Sequence, residues 1–231
     1  MHAWGDPWLL LAASLCLSSA ICADGPANLI VNGGFEEWSD LDPAVAGWET
    51  VGNVTLVPAS QVPTGWVPMR EIARDHPEHT GTVALDEQVK HAGQRSVRIE
   101  NGDMRDITLV QYSTERFAGN PDDPHNIRPN RRYLVRWWVR GENVNPAGTG
   151  PILMMYYRSE RDGKSYRTDT YEQGALPTGT FDWQQRQFVF VADEYARWAS
   201  FTLQLRWTTG TVWYDDAELL DMGPVVHVET Y

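Results

Sequence analysis

The chain has 231 residues and a formal net charge of −12, with 42% hydrophobic and 22% charged residues. That is enough apolar content for a core, in a length that suits one domain carrying long insertions. An acidic protein repels nucleic acid and anionic membrane surfaces at long range, so neither is an expected partner and neutral ligands are favoured.

Residues 1–23 hold an apolar stretch (Leu9, Leu10, Leu11, Leu15, Leu17) followed by small residues and then Asp24-Gly25-Pro26. This is the pattern of a signal peptide, although its first residues carry Asp6 and no Lys or Arg. Cleavage is expected after Ala23, giving a secreted (extracellular or periplasmic) protein with a single domain over residues 24–231. Both cysteines, Cys16 and Cys22, fall in the leader, so the mature chain has no disulfide to form. No later segment approaches the ~18 apolar residues of a membrane helix.

From there the apolar residues alternate rather than recur at helical spacing. The predicted strands are 28–32, 96–101, 107–113, 133–140, 152–158, 166–170, 183–191, 199–207 and 211–219. Turn signals separate them, among them Asn101-Gly102-Asp103, Asp162-Gly163-Lys164 and Thr209-Gly210. The fold class this implies is all-β, a jelly-roll β-sandwich of two antiparallel sheets. Leaving out the first strand, the other eight fit two Greek keys. One sheet then holds 96–101, 211–219, 133–140 and 183–191, and the other 107–113, 199–207, 152–158 and 166–170. Segments 49–90 and 115–130 read as long irregular loops, a length usual for functional loops or disorder.

Eleven Trp and nine Tyr stand against six Phe; both pair a flat apolar face with a polar tip and so suit stacking as well as cores. Four stretches carry a family resemblance. They are Asn28-Leu29-Ile30-Val31-Asn32-Gly33-Gly34-Phe35-Glu36 with Gly47-Trp48, Ala92-Gly93-Gln94-Arg95-Ser96-Val97-Arg98-Ile99, Tyr133-Leu134-Val135-Arg136-Trp137-Trp138-Val139-Arg140, and Gly210-Thr211-Val212-Trp213-Tyr214-Asp215-Asp216-Ala217-Glu218-Leu219. In this order they resemble carbohydrate-binding modules of families four, nine and twenty-two, which have a galactose-binding-like jelly roll. The insertion around Trp66 departs from the compact family pattern. The resemblance implies a structural calcium ion tying the first strand to the last, through the carboxylates of Glu36 and Asp215 and carbonyls at Gly34 and Gln94. Such oxygens suit a hard cation. By alternation Asp215, Ala217 and Leu219 are expected to share a face.

Sugar recognition needs aromatic planes with fixed polar groups. On 199–207, Ser200, Thr202, Gln204 and Arg206 alternate with Phe201, Leu203, Leu205 and Trp207, so the polar set is expected outward. Tyr156 and Arg158 join it if Leu153, Met155 and Tyr157 pack inside, and Gln111 is expected across the same sheet. Tyr166, Arg167 and Asp169 would flank the far edge, and Trp66, in a Pro-rich loop, is a candidate stacking platform. Trp48, Trp137 and Trp183 are expected in the core. Against catalysis, Glu36-Glu37 and Asp215-Asp216 are adjacent and point to opposite faces, unlike the paired acids of glycosidases. No Gly-x-Ser-x-Gly, Walker or dinucleotide motif occurs. A His76/His79/His91 metal site lacks a recognised pattern. The expected function is that of a secreted, monomeric, non-catalytic carbohydrate-binding domain associated with a glycoside hydrolase. A lyase or hydrolase with a loop-built site, and an adhesion domain without a sugar site, stay open as alternatives.

Overall fold

The computed structural model describes residues 26–46, 53–70, 81–112 and 125–225. The signal segment, Trp48, His76, His79 and His227 lie outside them. The elements in chain order are β1 (Trp38–Asp40), a single helical turn α1 (Pro43–Ala46), β2 (Val54–Val57), β3 (Gln61–Pro63), β4 (Val67–Arg70), β5 (Gly81–Asp86) and β6 (Ser96–Asn101). They continue with β7 (Ile107–Tyr112), β8 (Arg131–Val144), β9 (Gly150–Arg161), β10 (Lys164–Tyr171), β11 (Gly179–Val191), β12 (Ala196–Arg206) and β13 (Gly210–Pro224).

Two sheets form the sandwich, ordered β11-β8-β13-β6-β5-β2 and β10-β9-β12-β7-β4. The eight strands from β6 to β13 pair first with last, second with seventh, third with sixth and fourth with fifth, all antiparallel. This is the jelly roll expected from strand order. The core fills the space between the sheets with alternate residues. Val135, Trp137 and Val139 of β8 and Val212 and Tyr214 of β13 face Leu153 and Met155 of β9 and Phe201, Leu203 and Leu205 of β12, all at most 2% exposed. Trp137 is thus a core residue, as expected, whereas Trp183 is only half-buried.

Three features differ from the alternation reading. Residues 28–32 do not form a strand; Asn28 makes one isolated bridge to Leu220. Its side chain does the ladder's work instead, accepting from the Leu219 and Ile30 N–H groups and donating to the Ala217 carbonyl. The chain then turns through Asn32 and Phe35 at positive φ. Gly33 packs so close to β13 that a Cβ there would stand 2.0 Å from the Ala217 carbonyl oxygen, a contact only glycine permits.

Segment 49–90 is not simply a loop. Its described part supplies β2 to β5, which widen both sheets, with β2 and β5 paired in parallel and β3 joined to β1 in a two-stranded sheet. β4 lies on an edge, where Pro68 costs no ladder bond. Finally, β13 shifts register between Asp215 and Glu218, with Asp216 at φ 46°. One extra residue flips the alternation there.

Candidate functional site

The outer face of the five-stranded sheet can be read from its register. Core residues Leu153, Met155 and Tyr157 point inward, so Tyr156 and Arg158 point outward, as expected. Across the sheet, Arg167 of β10, Arg158 of β9 and Trp198 of β12 form one row; Asp169, Tyr156 and Ser200 form the next. The Arg167 guanidinium lies 4.1 Å from the centre of the Tyr156 ring, and that of Arg158 lies 5.7 Å from Trp198. Tyr156 and Trp198 meet edge to face at 6.3 Å. Arg167 also bonds Asp169. This end of the face is open, with Tyr156, Arg158 and Trp198 half-buried and Arg167 and Asp169 exposed. Trp198 is a residue the sequence reading missed, because it sits at a register shift at the start of β12, before the clean alternation begins.

Towards the middle of the sheet the polar set is no longer a surface. Ser200, Thr202 and Gln204 are 0%, 4% and 6% exposed. Gln204 donates to the Thr202 hydroxyl, which in turn donates to the Met154 carbonyl. Gln204 Oε1 and Ser200 Oγ have no hydrogen-bond partner. Alternation fixed their direction correctly but not their burial. Arg206, at the end of β12, is half-buried, with its guanidinium 4.4 Å from the exposed Trp207 ring and 3.9 Å from Asp106.

Two expected sugar contacts, Gln111 on this face and the loop residue Trp66, stand elsewhere. Gln111 pairs with Phe201, so it shares the inner face rather than that of Gln204. It is 5% exposed and clamps Val31, accepting from its N–H and donating to its carbonyl. A side chain facing the core cannot reach a ligand outside. Trp66 is 2% exposed and packs on Phe35 at 5.5 Å, so it anchors its loop and offers no open ring face for stacking. Its edge lines a recess of about 240 Å³ with Ser39, Asp40 and Val45.

The second cluster joins the first turn, the loop before β6 and β13. Glu36 Oε1 accepts from the Gln94 amide at 2.8 Å, and Asp215 Oδ2 from the His91 and Ala92 amides at 2.8 and 3.2 Å. Gly34 sits against the Asp216 carboxylate, with a Cβ position 3.7 Å from its Oδ1. Glu36 and Asp215 are each hydrogen-bonded to the loop before β6, and Gln94 meets Glu36 through its N–H rather than its carbonyl. The bulge also corrects the placement of Asp215. It pairs with Trp138, on the side opposite Ala217 and Leu219. The loop then buries it fully. That burial pushes its carboxyl up to about 6, against the amide bonds that favour the charged form. Gly93, at φ 57°, completes the cradle, since a Cβ there would lie 1.8 Å from Glu36 Oε1. Among the described residues no group of three or more His, Cys, Asp or Glu side chains forms a metal shell, so a cation here needs backbone oxygens as well. The donor type fits calcium.

His91 stacks on Trp138 at 3.7 Å and 15°, meets Trp183 edge-on at 5.8 Å, and shares its Nδ1 with Asp216 at 2.7 Å. His91 is thus held within this cluster, while His76 and His79 lie outside the described residues. His125 bonds the Leu29 carbonyl.

No protein-family model and no curated protein sequence matches the chain. Solved structures of similar shape exist at low identity. The CBM22-1 xylan-binding domain of Paenibacillus barcinonensis Xyn10C is 11% identical, with a TM-score of 0.49 over 88% of this chain and 99% of that one. A CBM4 structure is 13% identical, with a TM-score of 0.45 over 84% of this chain and 99% of that one. The enzymatically active domain of bacteriophage CBA120 tailspike protein 4 is 12% identical at a TM-score of 0.49; the match takes in 84% of this chain but only 21% of that one.

Proposed function

We propose that this protein binds carbohydrate without cleaving it, on the open end of the five-stranded sheet's outer face. The observation that carries the reading is the pair of adjoining rows, Arg167–Arg158–Trp198 and Asp169–Tyr156–Ser200. Two aromatic rings supply apolar planes for pyranose faces, and guanidinium and carboxylate groups fixed against them supply donors and acceptors for hydroxyls. The four sequence motifs agree with it. Arg206, half-buried at the end of β12, continues the face beyond the buried Ser200, Thr202 and Gln204.

The same reading assigns a structural calcium ion to Glu36 and Asp215, with carbonyl oxygens near Gly34 and Gln94. When bound, the ion would neutralise two carboxylates and lock the first turn to the last strand. The leader at residues 1–23 supports export, and a module of this kind serves an associated glycoside hydrolase.

Affinity electrophoresis and calorimetry on a panel of plant, algal and bacterial polysaccharides test the function. Retention on at least one polymer, lost in Tyr156→Ala and Trp198→Ala with melting temperatures close to the parent's, is the expected result. Failure of the parent protein to bind any polymer sinks the reading, and product release from any polymer overturns its non-catalytic part.

A further inference from the structure

We infer that the polysaccharide recognised at this face is acidic, its anionic substituents held between Arg158 and Arg167. The inference rests on the carbohydrate reading of the same face and narrows it to a ligand class.

Arg158 and Arg167 are direct cross-strand partners on one sheet face. Side chains so placed stand about 4.5–5.5 Å apart at Cβ, and like charges directly opposite are destabilising. A sheet tolerates this arrangement when something of opposite sign bridges the two. Asp169 compensates only Arg167, to which it bonds. Arg158 makes no ion pair among the described residues, although Glu160 lies two positions along the same strand; its guanidinium has the Trp198 ring as its partner. The two heads are drawn apart, Arg158 towards Trp198 and Arg167 over Tyr156. Both remain at least partly open to solvent.

The setting is at odds with the rest of the chain. On the outer face of β9, β10 and β12 the register places three cations (Arg158, Arg167, Arg206) against two acids (Glu160, Asp169), in a protein of net charge −12. A neutral glycan offers no reason to concentrate positive charge here. A guanidinium is a planar fork that matches a carboxylate or sulfate with two parallel hydrogen bonds, and it loses little water in doing so. The overall negative field opposes a polyanion at long range, but screening at physiological salt confines that opposition to roughly 8 Å steps between exposed charges. Within that distance the local cations decide. A uronate carboxylate and a sulfate ester share this chemistry, and the two are separated by the choice of polymer.

The test compares polygalacturonate, the same polymer methyl-esterified, a sulfated galactan and neutral xylan and β-glucan, with the parent protein and the variants Arg158→Gln, Arg158→Lys and Arg167→Gln. Loss of a charge-assisted bond predicts polygalacturonate binding about tenfold tighter than its ester, a difference that R158Q and R167Q erase and R158K partly keeps. Preference for the sulfated polymer over the neutral ones, also erased by R158Q, supports the inference with sulfate as the group held. If neutral xylan or glucan binds as tightly as the acidic polymers, or if R158Q weakens all polymers alike, the inference is overturned while the carbohydrate reading stands. Absence of binding to every polymer overturns both. Melting temperatures of the variants separate a binding loss from a folding defect.

Discussion

The hydroxyl of Tyr214 on β13 donates to the carbonyl of Gln204 on β12 at 2.5 Å, joining the two sheets through the middle of the core. Tyr214 is fully buried, and that burial pushes its phenol well above its ordinary value, so it stays a donor throughout the working range. Tyr214→Phe keeps the ring and leaves a buried carbonyl short of one bond. A loss of about 1–3 kcal/mol in unfolding free energy is expected. Urea denaturation would show it as a lower midpoint at unchanged slope, with glycan affinity preserved.

Trp66 separates stability from binding. Its ring is sealed against Phe35, and its indole N–H has no hydrogen-bond partner. Trp66→Ala is expected to cost about 3–5 kcal/mol through the cavity it leaves. Trp66→Phe, which forfeits no hydrogen bond, should cost much less and leave glycan affinity within twofold. A selective loss of binding in Trp66→Phe, with the melting temperature held, would restore Trp66 as a ligand contact.

These two residues also show what alternation can and cannot reveal. Strand order delivered the jelly roll because β6 to β13 each alternate over six or more residues, so both face and partner follow. β2 to β4 escaped notice because three- and four-residue strands containing Pro63 and Pro68 leave no period to read, and β5 because Val83-Ala84-Leu85 sets three apolar residues in a row. Tyr156 and Arg158 were legible from Leu153, Met155 and Tyr157. Gln111 was not, because its face depends on where its register meets Phe201. Gln204 points where alternation says, but a direction does not report how deeply the sheet lies. The bulge at Asp216 is invisible to a period-two pattern, and it alone moved Asp215 away from the face of Ala217.

Trp213 and Asp86 give a pH signature. Burial alone would raise the Asp86 carboxyl, but the Trp213 indole at 2.8 Å, the Val89 and Gln88 amides and the charge of Arg98 outweigh it and leave the group below its ordinary 3.8. A carboxyl depressed in the folded state contributes stability above its unfolded value, and that contribution disappears as pH falls through the folded one. Trp213→Phe should therefore lose about 1 kcal/mol more at pH 7 than below pH 3. The part due to the smaller ring persists at both. Parallel urea titrations at the two pH values measure the difference, and an equal loss at both would refute the coupling.

Calcium at Glu36 and Asp215 makes the sharpest prediction about stability. A ligand held by the native state alone raises unfolding free energy by RT ln(1 + [L]/Kd), about 2.7 kcal/mol at one hundred times Kd. Adding millimolar calcium to chelator-treated protein should raise the melting temperature by several degrees, and magnesium should do far less because it tolerates neither the irregular shell nor full dehydration. Glu36→Gln and Asp215→Asn should each abolish the calcium response. Gly93→Ala should weaken it too, because its φ of 57° is strained for alanine and the added methyl would collide with Glu36 Oε1. Should the parent melt at the same temperature with chelator and with calcium, the carboxylates serve only as acceptors for the loop's amide groups. Asp215→Asn would then lower the melting temperature equally in both buffers.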